Sequence, residues 1–582
     1  MGIGGEAGQG IATPGDIFAR IIVRRGLHLS TYNAYQSIIR GGHIFLTLRI
    51  CDEEIFTHGD KLDLLLCLNQ DTMDRHQRLI GPGGRVLYNS DSITPGESNG
   101  ADLCGIPVGE LTQSRNRLIQ NTVAMGAVTC LMGVDFQVLQ ESLELRFSRQ
   151  GQQVVDQNVE VAKAGFDYAQ SNFRTFAQPL PDGGKPLAVW SGNDAIAMGG
   201  AAAGVKFYAA YPMSPASGIL HWMASNARNL GIMVRQVEDE IGVSNMVIGA
   251  AHTGVRSMCA TSGGGFALMT EAVGAASMME IPAVYIDVQR AGPSTGVPTK
   301  TEQGDLWQVL GASQGDYERL IAAPYNALDA FDTMPELFNL TDRLQCPGIL
   351  ISDLLISEGR YSVDPDSINM HPVIDRGQMI SEPVSPNGYK RYENTDSGIS
   401  PRAVPGLEGY VHVVATDEHD EDSTLISDEF TNPHKRRMMV EKRGRKMQGA
   451  LAMIAPPELD GPADAEVTLV GWGSTQGAIE EARGQLAERG VTANQLSIKW
   501  IVPFHADHIL QILSSAKKVI IVENSYSGQF ARYLRSETGF AAHGHIRKYD
   551  GEPFMPHHIA DGVMEQVAEK VSSYVPYQEV MV

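Results

Sequence analysis

Residues 283–296 read Ala283-Val-Tyr-Ile-Asp-Val-Gln-Arg-Ala-Gly-Pro-Ser-Thr-Gly296. A short apolar run rich in β-branched and aromatic side chains reads as a buried strand, and the Gly/Pro/Ser/Thr cluster behind it ends that strand in a loop. The same unit recurs upstream. Phe207–Ala210 runs into Tyr211-Pro-Met-Ser-Pro215, Met233–Gln236 into Glu238-Asp-Glu240, and Arg256–Ala260 into Thr261-Ser-Gly-Gly-Gly265. Helical periodicity fills the intervals: from about Asp194, through Leu220–Ala227, over Ile241–His252, and from about Phe266. Strands alternating with helices at this density pair in parallel through right-handed crossovers, which predicts a doubly wound α/β domain. Ligands of such sheets sit at the carboxyl ends of the strands, so these four loops form the candidate site.

Working outward, Leu187–Trp190 reads as the opening strand of that domain, which spans residues 187–360. Ahead of it, Pro179-Leu-Pro-Asp-Gly-Gly-Lys-Pro186 breaks both helix and strand and reads as a linker over residues 179–186. Residues 1–178 form an N-terminal α/β region. It opens on the Gly-rich turn Gly4-Gly-Glu-Ala-Gly-Gln-Gly10, with little room for a strand before it, and continues into the helical-period stretch Ile17 to Val23. Arg40-Gly41-Gly42 then precedes an alternating strand at His43 to Ile50, and Leu62 to Leu68 reads as a buried strand. Residues 361–464 are a connecting segment whose basic run Lys435-Arg436-Arg437, with Lys442-Arg443, reads as a solvated face. A last α/β unit, 465–582, has strands at Val467–Val470, Gln495–Ile498 and Val519–Val522.

The 582 residues carry a formal net charge of −22, which repels phosphate backbones and anionic membranes and argues against both as partners. No run approaches the roughly 18 apolar residues that span a bilayer, and the N-terminus lacks a basic-then-apolar layout, so a cytoplasmic location is expected. The six cysteines, Cys51, Cys67, Cys104, Cys130, Cys259 and Cys346, stand singly in mostly apolar runs, with no CxxC pair to frame a cluster or zinc. Buried thiols are expected, no metal is assigned, and electrons released by a reaction need another chain to carry them. No glycine triplet fits G-x-G-x-x-G, which disfavours a nucleotide-dependent dehydrogenase.

From Ser191 to Glu358 the chain resembles the α subunit of the 2-oxoacid:ferredoxin oxidoreductases, whose loops read Tyr-Pro-Ile-Thr-Pro, Glu-x-Glu, Thr-Ser-Gly-Pro-Gly and Gln-Arg-x-Gly-Pro-Ser-Thr-Gly. Ser214 stands for the usual Thr and Gly264 for the usual Pro. The first 170 or so residues resemble that family's γ subunit, and the fused order is most like the 2-oxoglutarate branch. Gly471-Trp-Gly-Ser474 and Glu523-Asn-Ser-Tyr-Ser-Gly-Gln529 resemble its transketolase C-terminal-like domain, a structural and interfacial part. The fold implied is α/β throughout: a γ-type domain, a Pyr-type doubly wound domain of thiamine-diphosphate enzymes, and the transketolase C-terminal-like domain.

The resemblance implies coenzyme A-dependent, reversible oxidative decarboxylation of a 2-oxoacid with reduction of ferredoxin. 2-Oxoglutarate, giving succinyl-CoA and CO2, is preferred to pyruvate or a branched-chain oxoacid; a non-catalytic scaffold is the reading from another class. Thiamine diphosphate needs a carboxylate on its pyrimidine ring nitrogen to form the imino group that takes the thiazolium proton, and position assigns that role to Glu240. A helix N-terminal acid favoured by the macrodipole is the plain alternative. Thr261, Ser262 and Gly263 are expected beside the pyrimidine. Ser214, Arg290 and Tyr211 are expected on the oxoacid, Arg290 through two parallel bonds to the carboxylate; the plain alternatives are a helix cap for Ser214 and a surface ion pair for Arg290. Gly8, Gln9, Gly10 and Arg40 are candidates for coenzyme A, or simply make a tight turn. The family's Gly-Asp-Gly motif for diphosphate and Mg²⁺ is missing, since only Gly59-Asp60-Lys61, Gly304-Asp305-Leu306 and Gly315-Asp316-Tyr317 come near it. Diphosphate, Mg²⁺ and a [4Fe-4S] cluster are therefore expected in a separate β subunit, in a dimer of heterodimers. Glu418-His419-Asp-Glu421 resembles another motif of the 2-oxoglutarate branch and is given no catalytic role.

Overall fold

The computed structural model describes residues 1–36, 41–112, 117–181, 183–383, 388–429 and 432–577. It has two compact units, Met1–Trp190 with Gly359–Ile368, and Ser191–Glu358 with Asn369–Pro576. Among the described residues no helix is long and apolar enough to cross a membrane.

The first unit is built on an eight-stranded sheet. Its inner strand Gly2–Glu6 pairs parallel to Leu62–Cys67 and antiparallel to His43–Cys51. The Gly-rich opening, read as a turn with little room for a strand before it, is thus itself a strand. A Cβ on Gly2 would lie 2.5 Å from the Phe45 ring and one on Gly4 2.3 Å from Thr72, so this strand is covered too closely for larger residues. The turn proper falls at Gly8 and Gly10, whose φ values of 95° and 77° belong to glycine. Helix Ala12–Arg24 follows and buries Ile17, Phe18, Ile21 and Ile22.

Ala188–Ser191, read above as opening the next domain, instead lies at the edge of this sheet beside Arg360–Val363. The returning chain makes that edge: Leu29 N–H donates to Ser362 Oγ at 3.0 Å, and Arg360 N–H to Thr31 Oγ1 at 2.9 Å. Four residues of apolar strand say nothing of which sheet they join.

The second unit holds two sheets. The seven-stranded one runs Trp500–Val502, Leu320–Ala322, Gly348–Asp353, Val284–Gln289, Ser257–Thr261, Phe207–Ala210, Met233–Gln236. All pairings are parallel except that of Trp500–Val502 with Leu320–Ala322. The chain goes from Phe207–Ala210 outward to Met233–Gln236 and then returns past it to Ser257–Thr261, so the loops after residues 210 and 261 part company at the carboxyl edge, where such sheets hold ligands. The six-stranded sheet runs Leu459–Asp460, Ala493–Ile498, Val467–Trp472, Val519–Glu523, Gly544–Arg547, Ser573–Tyr574. One apolar core joins the two, with Cys259, Phe266 and Tyr285 from the first packed with Trp472, Leu496 and Phe530 from the second.

Helix Pro433–Leu451 begins at Asn432, whose side chain accepts the Lys435 N–H, with Pro433 in the first turn where its missing donor costs nothing. Arg436 and Arg437 lie on a solvated face as expected, but Lys442 and Arg443 depart from it: they are buried, as is Lys446. Glu280 lies between the ammonium groups of Lys442, at 2.7 Å, and Lys446, at 2.5 Å. Glu418 takes both Nη atoms of Arg443, at 2.9 and 2.8 Å, and Asp420 takes Lys435 at 2.9 Å. The acidic segment 418–421 is therefore counter-charge for this helix, and His419 lies against Tyr392 with ring centroids 3.9 Å apart. Burial alone would raise the Glu280 carboxyl, but Lys442, Lys446 and Arg391 outweigh it and hold it well below the usual carboxylate range. Removing one partner of a buried pair costs about 3–5 kcal/mol. We expect Glu280→Gln to lower the free energy of unfolding in urea by that order and with it the midpoint; a midpoint within experimental error of wild type would show the cluster to be neutral.

Candidate active site

Glu240 is the first residue of helix Glu240–His252, but it does not cap it. Asp239, in extended conformation, accepts the Gly242 N–H at 2.6 Å and satisfies the helix end. Glu240 is 4 % exposed, and its Oε1 is buried with no hydrogen-bond partner among the described residues. A plain helix-end acid faces water, whereas this one is held in the fold and left unpaired. Gly265 sets its position: a Cβ there would stand 2.1 Å from Thr261 Oγ1 and 2.6 Å from Glu240 Oε1. The carboxylate thus reaches across from the loop after Met233–Gln236 to the loop after Ser257–Thr261.

Ser262, at the N-cap position of helix Gly263–Met278, makes no cap bond, and its buried Oγ has no partner. Thr261 Oγ1 is 3.9 Å from Met213 Sδ, which ties the loop after Phe207–Ala210 to the same place. Gly263 offers its carbonyl to Gln308 Nε2 at 2.9 Å.

Arg290 follows strand Val284–Gln289 and donates from Nη1 to the Ser214 carbonyl at 2.9 Å, while its buried Nε is unpartnered. It is in no surface ion pair among the described residues. Nor does Ser214 cap the next helix, whose N-cap is Ala216 with no side-chain bond. Asn193 holds this loop from beneath by donating to the Pro215 carbonyl at 2.9 Å. Tyr211 stands 38 % exposed at the mouth. Glu240, Thr261, Ser262, Gly263, Ser214, Arg290 and Tyr211 thus lie on neighbouring loops of one sheet edge. The coenzyme A candidates Gly8, Gln9 and Gly10 are in the first unit, where Gln9 Oε1 accepts the Glu6 N–H at 2.8 Å; Arg40 lies outside the described residues.

Asp305 was missed in the sequence, where it figured only as a failed Gly-Asp-Gly. Its backbone N–H donates to Gln289 Oε1 at 3.1 Å, and its carboxylate lies against Gly263, where a Cβ would come within 2.4 Å of Oδ2. That oxygen is buried and unpartnered. Burial pushes the Asp305 carboxyl up to about 6, against the pull of Arg290. Asp287 beneath it is fully buried, and desolvation, with Asp305 adding, drives its carboxyl far above the usual range. The signal available in the sequence was an Asp within the Thr-Glu-Gln-Gly-Asp run that follows the arginine loop.

Five of the six cysteines are buried, with Cys51 partly exposed, and burial pushes the Cys346 thiol up to about 12. No metal-competent group of three His, Cys, Asp or Glu occurs among the described residues.

A mostly parallel sheet that brings a buried carboxylate oxygen and a guanidinium Nε without partners among the described residues to one edge has the layout of an enzyme site for an anionic ligand. The comparisons give that class its family. The description "Pyruvate flavodoxin/ferredoxin oxidoreductase, thiamine diP-bdg" matches residues 198–440, "Pyruvate ferredoxin/flavodoxin oxidoreductase" residues 1–168, and "Pyruvate:ferredoxin oxidoreductase core domain II" residues 465–559. The chain is 30% identical to 2-oxoacid:ferredoxin oxidoreductase 2, subunit alpha, of Aeropyrum pernix, over 97% of each chain. It is 30% identical to the 2-oxoglutarate oxidoreductase subunit KorA of Mycobacterium tuberculosis, over 92% of this chain and 86% of that one. The solved structure of 2-oxoglutarate:ferredoxin oxidoreductase from Magnetococcus marinus, with 2-oxoglutarate, coenzyme A and succinyl-CoA bound, matches with a TM-score of 0.91 at 30% identity, over 97% of this chain and 99% of that one. The chain belongs to the 2-oxoacid:ferredoxin oxidoreductases, as a subunit of that enzyme.

Two outcomes follow from the geometry. Gly265→Ala should displace the Glu240 carboxylate and lower turnover by about tenfold or more while the far-ultraviolet dichroism stays native, since misplacing a catalytic group by an ångström costs on the order of 100-fold; full activity would separate Glu240 from Gly265. Below pH of about 6 Asp305 is neutral, and as pH rises through that value it becomes an anion beside Arg290. The KM for the anionic oxoacid should therefore rise across that interval in the wild type and stay flat in Asp305→Asn; parallel profiles would remove Asp305 from the site.

Proposed function

We propose that this chain forms the pyrimidine- and oxoacid-binding half of a coenzyme A-dependent 2-oxoglutarate:ferredoxin oxidoreductase. The observation that carries the reading is the buried, unpartnered carboxylate of Glu240 at the same sheet edge as the Arg290–Ser214 pair. The Gly265 cradle and the unpaired Ser262 hydroxyl suit a flat heteroaromatic ring laid against the loop. Thiamine diphosphate, when bound, supplies a nucleophilic carbon and an electron sink for decarboxylation. Glu240 holds a proton at the pyrimidine ring nitrogen. Arg290 keeps one guanidinium edge on the Ser214 carbonyl and turns its free Nε toward the oxoacid carboxylate, while the Ser214 hydroxyl and Tyr211 orient the keto group. Thr261, Ser262 and Gly263 line the pyrimidine side.

Substrate preference is supported by the Magnetococcus and Mycobacterium relatives, both named for 2-oxoglutarate. The reaction is conversion of 2-oxoglutarate, coenzyme A and oxidised ferredoxin to succinyl-CoA, CO2 and reduced ferredoxin, reversibly. Coenzyme A is assigned to the turn Gly8-Gln9-Gly10. Mg²⁺, the diphosphate and a [4Fe-4S] cluster are assigned to a β subunit, in keeping with the missing Gly-Asp-Gly and the single cysteines. Ile241, Leu268, Val297 and Trp307, each about half exposed on or next to the site loops, offer an apolar rim for that subunit in a dimer of heterodimers.

The test co-purifies this chain with its partner subunit and follows viologen reduction in the presence of coenzyme A. 2-Oxoglutarate should be oxidised in preference to pyruvate and branched-chain oxoacids. Glu240→Gln should lower turnover by about 100-fold or more, and Arg290→Lys should raise the oxoacid KM by about tenfold or more with a smaller change in kcat. Undiminished oxidation by Glu240→Gln would sink the reading, and equal use of pyruvate would move the chain to another substrate.

A further inference from the structure

Between helix Gln529–Thr538 and strand Gly544–Arg547, away from the loops described above in sequence and on the other sheet, lies a pocket of about 280 Å³ lined by Gly528, Ala531, Arg532, Arg535, His545 and Arg547. Arg532 and Arg535 are three apart on the helix and so share a face, where like charges repel. His545 and Arg547 are two apart on the strand and point to one side. In a chain of net charge −22, such a concentration of cations with no carboxylate in the lining needs a counter-charge. Among the described residues Arg532, Arg535 and Arg547 are in no ion pair, and the one carboxylate that acts on them through space is Glu523, which interacts with Arg547. Arg547 donates from Nη1 to the Tyr526 carbonyl at 3.0 Å and from Nη2 to Ser573 Oγ at 3.2 Å, and its Nε is buried without a partner.

Glu523 acts on Arg547 without an ion pair, and its hydrogen bonds are taken up by the helix end. It accepts the Phe530 N–H at 2.9 Å, the Ala531 N–H at 3.2 Å and the Ser525 hydroxyl at 2.9 Å. The helix amides are thereby unavailable to a ligand, so any anion in the pocket must be held by side chains. Three guanidinium groups around one recess match an anion with several acceptor oxygens at more than one centre, since each guanidinium forks onto one tetrahedral or planar group. The volume lies just below the range of whole small-molecule sites, about 300–1,000 Å³, which suits a diphosphate group with any remainder of the ligand outside.

We propose that this pocket is a binding site for a diphosphate group, borne either by free pyrophosphate or by a nucleoside diphosphate, and separate from the diphosphate of the enzyme's own cofactor. The recess favours a small anion over the convex surface of an acidic protein.

The experiment uses the complete enzyme with its partner subunit, saturated with thiamine diphosphate and Mg²⁺ so that the cofactor site is filled. Pyrophosphate is titrated in by calorimetry, with ADP and citrate as competing ligands. Wild type should bind one pyrophosphate per copy of this chain. The double variant Arg532→Ala/Arg535→Ala should bind on the order of tenfold more weakly or worse, because each charged hydrogen bond lost is worth about that factor. Both arginines are exposed, so the fold should survive, and oxoacid oxidation without pyrophosphate should be unchanged. Arg532→Lys/Arg535→Lys, which keeps the charge and loses the fork, should fall between. Displacement by ADP at lower concentration than pyrophosphate identifies a nucleotide, and failure of ADP to compete identifies the bare diphosphate; either supports the site. No binding by wild type, equal binding by wild type and double variant, or competition by citrate as strong as by pyrophosphate overturns it. So does a raised ferredoxin KM in the double variant without pyrophosphate binding in the wild type, which would make the patch a docking surface for an acidic protein.

Discussion

Gln303 holds the second unit together where its two sheets meet. Its backbone N–H donates to the Asn524 carbonyl at 2.7 Å, its Oε1 accepts the Asn524 N–H at 2.9 Å, and its Nε2 donates to the Trp472 carbonyl at 2.9 Å. All three bonds are buried, where a lost partner leaves a polar group unsatisfied at a cost of about 1–3 kcal/mol. The neighbours extend the seam: Thr301 N–H donates to the Gly551 carbonyl at 3.0 Å, Lys300 pairs with Glu552, and Gln529 bonds the Trp307 N–H and the Gly304 carbonyl. Residues 300–307 are thereby fastened to the six-stranded sheet, and they end the loop that begins at Arg290. Ala291 and Lys300 close its neck through a backbone bond of 3.0 Å. The C-terminal sheet is in this sense part of the site, because it fixes where Arg290 and Asp305 stand.

That rigidity matters because the site leaves charge unpaired. A guanidinium Nε, one carboxylate oxygen each of Glu240 and Asp305 and a serine hydroxyl are buried without partners among the described residues. Each is a cost to the free subunit, tolerable only where the surroundings over-determine the geometry, and each is a contact already oriented for a ligand. Elsewhere in the same unit buried charge is handled in the opposite way. Asp342 receives Arg256 at 2.8 Å, Arg376 at 2.8 Å and Arg402 at 3.4 Å, and Glu280 has its two lysines. Paired clusters stiffen the scaffold, and the unpaired set at the sheet edge is what the proposed site rests on.

How far this was legible follows from what each signal depends on. Three of the strands that meet at the site were readable because they are almost wholly buried apolar runs closed by Gly, Pro and Ser, a pattern local to a dozen residues, whereas the edge strand Met233–Gln236 is largely exposed. Glu240, Ser214 and Arg290 were readable as members of loops at strand ends. That Glu240 Oε1 and Arg290 Nε lack partners among the described residues was not, since it depends on Asp239 taking the cap and on Arg290 turning Nη1 to the Ser214 carbonyl. Lys442 was misread as solvated because its counter-charge lies 162 residues away, beyond any local charge pattern. The strand Ala188–Ser191 was assigned to the wrong sheet for the same kind of reason: its neighbour, Arg360–Val363, is far along the chain. Trp500–Val502 joins the seven-stranded sheet antiparallel from a segment that reads as belonging wholly to the last α/β unit.

The proposed half-site draws support from chemistry and from packing. On the side of chemistry, Glu240 Oε1, the Ser262 hydroxyl and Arg290 Nε are buried without partners among the described residues, a set of acceptors and donors suited to a pyrimidine and a carboxylate. On the side of packing, Ile241, Leu268 and Trp307 remain about half exposed on or next to the loops that carry those polar groups. An isolated monomer gains nothing by placing apolar side chains around unpaired charge. A subunit does, because the surface that closes over the rim also removes water from Glu240 and Arg290 and strengthens every contact they make with ligand.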